Sequence, residues 1–596
     1  MTINDKLGLL RTAMRAHGID AYILPSSDPH QSEYFATRWK SRAWLSGFTG
    51  SMGYAVVTQA HAGIWTDSRY FLQAETELAD NQFVLHKQML QGAPEHLGWL
   101  TQNLPAGSNI GVDESLFSVE QYRAMERELH PQKMNLANID LIDSIWTDRP
   151  AAPNTPVFEH AAHLAGKTRA EKLAAIRQKM RENPKKVVWH LVTTLDDIAW
   201  TLNLRGRDVD CNPVTIAYMM IGLEKTYLFI DPDKVSDSIK TNLNHDGIFV
   251  KPYHQIGAFL EAIPANEPLF ADSSNMAQNL LAHLKKATII YGSTISILLK
   301  AIKNEVEMEH IRHVMAKDGA AMVKAWRWLE AQLKENAPVT EHGFAQKLAA
   351  CRAEQPLYYG ESFDAIIGYR GNGAIVHYHP DAEHSAAILP AGILLADSGG
   401  QFEDGTTDIT RTVALSTPTE EQCFHYTLVL KGHIQLATLQ FPQGTRGVQM
   451  DTLARMALWQ HGLNYGHGTG HGVGFFMNVH EPPQGFVSSL AIRGTTAMEV
   501  GMLTSNEPGF YKTGEYGIRI ENLMLTVPSV TTEYGSFLKF ETVTYFPIET
   551  SLIQRNLLEK SEKKWLNDYH KRTYHKIAPL LDAADKAWLK QKCAAI

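Results

Sequence analysis

The chain has 596 residues, 44% of them apolar and 20% charged, a length beyond what one hydrophobic core serves, so about two to four domains are expected. Its 56 basic and 64 acidic residues give a net charge of -8, which leaves no basic excess for a nucleic-acid backbone, and no nucleic-acid partner is expected. Cys211, Cys351, Cys423 and Cys593 form no CxxC pair, which excludes a disulfide frame or zinc ribbon and reads as buried free thiols in a reducing compartment.

Residues 1–20 mix Leu7, Leu9, Leu10 and Met14 with charge, predicting an amphipathic helix rather than the unbroken apolar core of a signal. A strand-like run at 21–24 follows, stopped by Pro25-Ser26-Ser27-Asp28. Residues 150–156 hold three prolines, which sustain neither helix nor central strand and mark a linker. Beyond it the pattern returns: helix-forming 169–182, apolar 187–192, then Thr193-Thr194-Leu195-Asp196-Asp197. One helix–strand–Asp unit used twice suggests two related α/β domains, residues 1–150 and 151–305. A long helical pattern over 301–333, carrying Val306, Ile311, Val314, Met315, Val323, Trp326 and Leu329, opens a third domain, residues 306–596. The most apolar run, 386–396, is broken by Pro390 and Gly392 and falls short of a membrane span, so a soluble, cytoplasmic protein with no membrane partner is expected. The tail from 559 places Trp565, Leu566, Tyr569 and His570 at helical spacing, an apolar face for its own domain or for a subunit interface.

The chemistry lies in the third domain. Gly392-Ile393-Leu394-Leu395-Ala396-Asp397 predicts a buried strand delivering Asp397 at its end. Asp408, Thr410 and Thr412 alternate with Ile409, Arg411 and Val413 and share a strand face. Glu403-Asp404-Gly405 carries a hairpin signal, so the two aspartates can stand side by side, at a cost unless a cation lies between them. In Gly466-His467-Gly468-Thr469-Gly470-His471-Gly472-Val473-Gly474 the histidines would share a helix face, but so many glycines speak against a helix. A loop is expected, its glycines letting the backbone approach a ligand while an imidazole is presented. His480 adds a further imidazole. A strand-like run from Met502 ends in Glu507 and is stopped by Pro508-Gly509. From Tyr516 to Asn522 the residues alternate, placing Arg519 and Glu521 on one face, where Arg519 is expected to orient the Glu521 carboxylate. Asp397, Asp408, His471, Glu507 and Glu521 are donors that two adjacent divalent ions would choose. Ions about 3.5–4 Å apart deprotonate a shared water and clamp an oxyanion, so hydrolysis is the expected chemistry.

Taken in order, Asp397-Ser398-Gly399, Thr407-Asp408-Ile409-Thr410-Arg411-Thr412, His467-Gly468-Thr469-Gly470-His471-Gly472, Glu507-Pro508-Gly509 and Gly517-Ile518-Arg519-Ile520-Glu521-Asn522 resemble the pita-bread metallopeptidases, and among them the long, three-domain Xaa-Pro aminopeptidases. Ser46-Gly47-Phe48-Thr49-Gly50-Ser51, Trp65-Thr66-Asp67-Ser68-Arg69-Tyr70 and Leu195-Asp196-Asp197-Ile198-Ala199-Trp200 resemble that family's first two domains, and the stretch around Trp565 and His570 its C-terminal extension. The fold so implied is α/β and α+β multidomain: two creatinase-N-like α/β domains followed by a pita-bread catalytic domain. The resemblance implies an aminopeptidase that removes the N-terminal residue from peptides with proline in second position, a metal-bridging hydroxide attacking the Xaa-Pro amide, in a cytoplasmic homodimer. It implies two divalent ions, usually Mn2+, with Zn2+ or Co2+ as alternatives. Asp408 and Glu521 would bridge them, Asp397 would bind one, and His471 with Glu507 the other. Glu507 would also accept the nucleophile's proton, His377 and His480 would steady the oxyanion or the leaving proline, and His467 would wall the proline pocket. Arg370, upstream of His377, departs from the family pattern and is expected to bear on which peptides enter. A metal-free creatine amidinohydrolase and a histone-chaperone module on the same fold would both have lost ligands, and the full set weighs against them. Methionine aminopeptidase and prolidase keep the ligands without these two large preceding domains.

Overall fold

A computed structural model describes residues 1–89 and 94–596. Two compact units divide them, the first comprising residues 1–159 and 167–296, the second 160–166 and 297–596.

In the first unit, helix α1 (Ile3–Ala16) starts from a capping box in which Thr2 and Asp5 satisfy each other's backbone N–H groups, and it buries Leu7, Leu10 and Met14. Strand β1 (Ala21–Pro25) follows, then β2 (Tyr54–Thr58), β3 (Ala62–Thr66), β4 (Val84–Lys87), β5 (Asn109–Val112) and β6 (Asn135–Asn138), forming one sheet in the order β4-β3-β2-β1-β5-β6. Helix α2 (Arg169–Glu182) opens with the same type of cap, Thr168 with Glu171. Strands β7 (Trp189–Val192), β8 (Tyr218–Gly222), β9 (Thr226–Phe229), β10 (Ile248–Lys251), β11 (Leu269–Ala271) and β12 (Ile289–Tyr291) build a second sheet, ordered β10-β9-β8-β7-β11-β12. Pairing directions also repeat: β1 runs antiparallel to β2 and parallel to β5, and β7 antiparallel to β8 and parallel to β11. The helix-then-strand repeat is therefore a repeated sheet topology.

The second unit is organised around α3 (Glu305–Lys334), whose stripe of Met308, Ile311, Val314, Met315, Val323, Trp326 and Leu329 is buried while Val306 stays exposed. Burying each such side chain contributes about 1.5–3 kcal/mol. Strand β13 (Ile366–Tyr369) pairs with β14 (Ile393–Ser398), an apolar run buried along its whole length, and β14 pairs with β17 (Ile409–Ala414). Between β14 and β17 lies a hairpin of β15 (Gly400–Phe402) and β16 (Gly405–Thr406), with Gln401 opposite Thr406. Helices α4 (Glu420–Ala437) and α5 (Gly447–Trp459) precede β18 (Gly470–Gly472) and β19 (Glu481–Phe486). Next come β20 (Leu503–Asn506), the hairpin β21 (Gly509–Lys512) with β22 (Tyr516–Arg519), and the long pair β23 (Asn522–Thr532) and β24 (Gly535–Thr542). An antiparallel sheet runs from the short strand Gln440–Pro442 through β24, β23, β20 and β18 to β19.

The tail forms α6 (Lys560–Ile577) and α7 (Ala583–Lys592), which pack on their own unit: Trp588 donates to Glu330 on α3 at 2.6 Å, and the Tyr569 hydroxyl accepts from Arg411 Nη2 at 2.8 Å. Of the cysteines, all free, Cys351 is buried as expected, whereas Cys211, Cys423 and Cys593 are half-buried. Among the described residues no helix is long and apolar enough to cross a membrane.

Candidate metal centre

Four strand ends and one short strand bring the acidic residues and His471 together. Asp397 sits one residue before the end of β14, opposite Thr410. Asp408 lies in the link between β16 and β17, Glu507 directly after β20, and Glu521 between β22 and β23. Strand ends suit this task because their side chains escape the ladder and converge beyond the sheet. His471 lies at the centre of β18, which corrects the expected loop. Its glycines serve partner strands and not a ligand: a Cβ on Gly470 would come within 2.0 Å of the Ser505 carbonyl, and one on Gly472 within 2.3 Å of the Glu481 carbonyl. Glycine at 470 and 472 lets β18 lie between β19 and β20.

Ligand-capable atoms of Asp408, His471 and Glu521 all lie within 4.8 Å of one another. His471 Nε2 is 3.4 Å from Asp408 Oδ2 and 3.7 Å from Glu507 Oε1. Its Nδ1 is 3.0 Å from the Gly472 carbonyl, which places the ring proton there and leaves the Nε2 lone pair facing the carboxylates. Glu521 Oε2 accepts from Thr410 Oγ1 at 2.7 Å, whereas its Oε1 is buried without a partner, as is Asp397 Oδ1. Burial first, and then the neighbouring carboxylates, push Asp408, Glu507 and Glu521 well above the usual carboxylate range. Orphaned oxygens, a preset imidazole and crowded acids form a donor set that fits divalent cations.

Arg519 departs from expectation. Its Nη2 donates to Asp397 Oδ2 at 2.6 Å and its Nη1 to the Tyr511 hydroxyl at 2.7 Å, so it holds Asp397 and not Glu521. The physical reason is that β22 ends at Arg519, and the chain turns through Ile520 and Glu521 before β23, so the two residues do not share a strand face. Glu521 is fixed from β17 instead, through Thr410 and through its own N–H to the Thr410 carbonyl at 3.1 Å.

The histidines border the cluster. His480 packs edge-on against His471, ring centroids 4.2 Å apart. His467 Nδ1 is 2.8 Å from the Gly468 carbonyl, and its Nε2 is 2.7 Å from the Tyr511 hydroxyl, whose lone pairs already receive Arg519. The Tyr511 proton therefore points to His467 Nε2, and burial pushes this phenol up to about 12. His377 is half-buried, next to Val376, whose carbonyl faces Arg519 Nη1 at 3.5 Å. Arg370 stands apart: Tyr369 is opposite Leu394 while Ile366 is opposite Asp397, so Arg370 lies at the far end of the β13–β14 pair, its guanidinium over the Tyr369 ring at 5.1 Å.

Tyr511 escaped the sequence reading, as did a clasp on α5. Arg455 pairs with Asp451 at 2.7 Å and donates to the carbonyls of Tyr465 and His467, while Asp451 accepts from Thr469 Oγ1 at 2.6 Å. The Thr469 backbone carbonyl accepts the Glu507 N–H at 2.8 Å. An Asp and Arg four apart on a helix was the available signal.

Residues 6–145 and again 148–307 match the creatinase/prolidase N-terminal domain, residues 309–528 metallopeptidase family M24, and residues 536–596 the C-terminal region of peptidase M24. A Laccaria bicolor protein named "Probable Xaa-Pro aminopeptidase P" is 41% identical over 100% of this chain and 94% of its own length. The chain belongs to the Xaa-Pro aminopeptidases of metallopeptidase family M24. Aminopeptidase P2 of Arabidopsis thaliana is 38% identical over 99% of this chain and 88% of its own. The crystal structure of X-prolyl aminopeptidase from Caenorhabditis elegans, described as a cytosolic enzyme with a di-nuclear active site, superposes with a TM-score of 0.94 at 34% identity, covering 100% of both chains. As in that family, two creatinase/prolidase N-terminal domains precede an M24 pita-bread domain.

Proposed function

We propose that this M24 enzyme removes the N-terminal residue from peptides whose second residue is proline, acting as a cytoplasmic homodimer on a pair of divalent ions, Mn2+ first and Zn2+ or Co2+ as alternatives. The observation that carries the reading is the convergence of Asp397, Asp408, His471, Glu507 and Glu521 beside Arg519, in a chain matched end to end by Xaa-Pro aminopeptidases. Asp397, Asp408, His471, Glu507 and Glu521 would together hold the two ions, Asp408 and Glu521 being placed to serve both. When bound, the ions supply a hydroxide nucleophile near neutral pH and polarise the scissile carbonyl.

The chain's own groups do the rest. Glu507, with 18% of its side chain exposed against 5% for Asp408, takes the nucleophile's proton. His377 and His480 steady the oxyanion and the departing proline nitrogen. His467, its tautomer set by Tyr511 and Gly468, forms one wall of the proline pocket. Proline has no N–H and a fixed φ, so a recess for its ring replaces the backbone hydrogen bond that other peptides offer. In this reading residues 1–150 and 151–305 are the two leading domains and residues 306–596 the catalytic domain with its extension.

The test is hydrolysis of Arg-Pro-Pro by metal-stripped protein with manganese, cobalt or zinc restored one at a time. Release of arginine only after restoration supports the reading. Turnover without metal, or cleavage of Xaa-Pro dipeptides in preference to the tripeptide, overturns it.

A further inference from the structure

The turn between His471 and His480 is held in a conformation it would not adopt alone. Phe476 has φ 47°, in the left-handed region that residues with a Cβ avoid. It is kept there from two sides. Its buried ring meets Tyr359 edge-on at 5.0 Å and His160 at 5.3 Å. Met477, the next residue, has both backbone groups captured by the β15–β16 hairpin. Gln401 Nε2 donates to the Met477 carbonyl at 2.6 Å, Thr406 Oγ1 accepts the Met477 N–H at 3.2 Å, and Thr406 Oγ1 donates to Gln401 Oε1 at 2.8 Å. Gln401 and Thr406 are both wholly buried. The Gly474 N–H donates to the Asn478 carbonyl at 3.0 Å and closes the turn.

The hairpin that grips this turn is also the segment joining Asp397 to Asp408. One buried amide therefore ties the aspartate pair to the chain that delivers His480 beside His471. We infer that Gln401 is a positioning residue which, with Thr406, sets the place of His480 relative to the carboxylate cluster. A buried amide suits the role because it grips with a donor and an acceptor together, and with both satisfied it has a single orientation. The inference rests on the reading that His480 touches the reacting peptide.

Its test uses the manganese-loaded full-length enzyme and Arg-Pro-Pro, comparing wild type, Gln401→Met, His480→Ala and the double variant. Gln401→Met keeps length and bulk but loses the grip. The expected result is a kcat roughly tenfold to a hundredfold lower with KM held within about twofold. In the His480→Ala background the same change should cost less than about twofold, because residues that act through one another are not additive. Equal losses in the two backgrounds overturn the inference. A crystal structure of Gln401→Met is the second readout: a displaced His480 supports the grip, and a ring still 4.2 Å from His471 overturns it. That readout stands even if His480→Ala proves fully active, which would bring down only the role assigned to His480. Should Gln401→Met not fold, Thr406→Val removes the hydroxyl half of the grip and carries the same comparison.

Discussion

Buried charge is handled in opposite ways at one place in each unit. In the first, Asp208 is closed off: Lys234 Nζ lies 2.6 Å away, Thr155 and Thr215 donate from 2.6 and 2.9 Å, and the Ile216 N–H donates from 2.8 Å. Both oxygens receive donors, and the Lys234 ammonium balances the carboxylate charge. In the second, Asp397, Asp408, Glu507 and Glu521 share a buried region with Arg519, and two of their oxygens have no hydrogen-bond partner. Balanced burial of this kind serves the fold, whereas the imbalance reserves a place for something positive.

The comparison is broken most directly at Asp408. Asp408→Asn should lower activity on the order of a thousandfold or more, beyond the cost of one lost oxyanion donor, and reduce bound metal, both read on the purified protein. The same change should raise the melting temperature of the stripped protein, because one repelled acid is gone. In the first unit the sign reverses. Lys234→Met leaves Asp208 buried without its counter-charge and should cost about 3–5 kcal/mol by denaturant titration, while kcat per folded molecule is unchanged. A stable Lys234→Met protein would break the contrast.

Arg519→Gln sharpens it. Asp397 would lose its cation, and metal affinity or activity should fall roughly tenfold to a hundredfold, as for other residues that orient a ligand. The smallest effect is the pH dependence. Asp408, Glu507 and Glu521 are held well above the usual carboxylate range by burial and by one another, so the stripped folded state binds these protons more tightly than the unfolded chain does. Their contribution is full below the ordinary carboxylate value and is lost as pH rises through the raised one. The melting temperature of stripped protein should therefore fall as pH rises above the ordinary carboxylate range, and the rise produced by manganese should widen over the same interval. Calorimetry in buffers of different ionisation heat should record protons released on loading. A metal-induced shift independent of pH would count against the crowded acids.

Much of this arrangement was legible from local pattern. The apolar run before Asp397, the alternation from Asp408 and the Pro-Gly stop after Glu507 each report a strand and where it ends, because backbone pleating acts over a few residues. The doubled helix–strand–Asp unit was legible for the same reason. What stayed hidden depends on partners far along the chain. Alternation put Arg519 beside Glu521, but its partner is Asp397, 122 residues away, chosen by how β22 meets β14. The glycines of β18 looked like room for a ligand, and no local signal separates that from room for a neighbouring strand. Tyr511, Gln401 and Asp451 are ordinary residues in sequence, and only tertiary packing gives them their tasks.

Tyr569 sits where its hydroxyl meets Arg411, Asn522 and the carbonyls of Thr544 and Phe546, while Arg411 Nη1 holds the carbonyl of Glu521. The last of the proposed ligands is thus steadied from behind by a side chain made 48 positions later. A ribosome that has passed Glu521 has supplied all the proposed ligands but not the phenol on which Arg411 settles. The proposed centre thus takes part of its frame from the C-terminal tail.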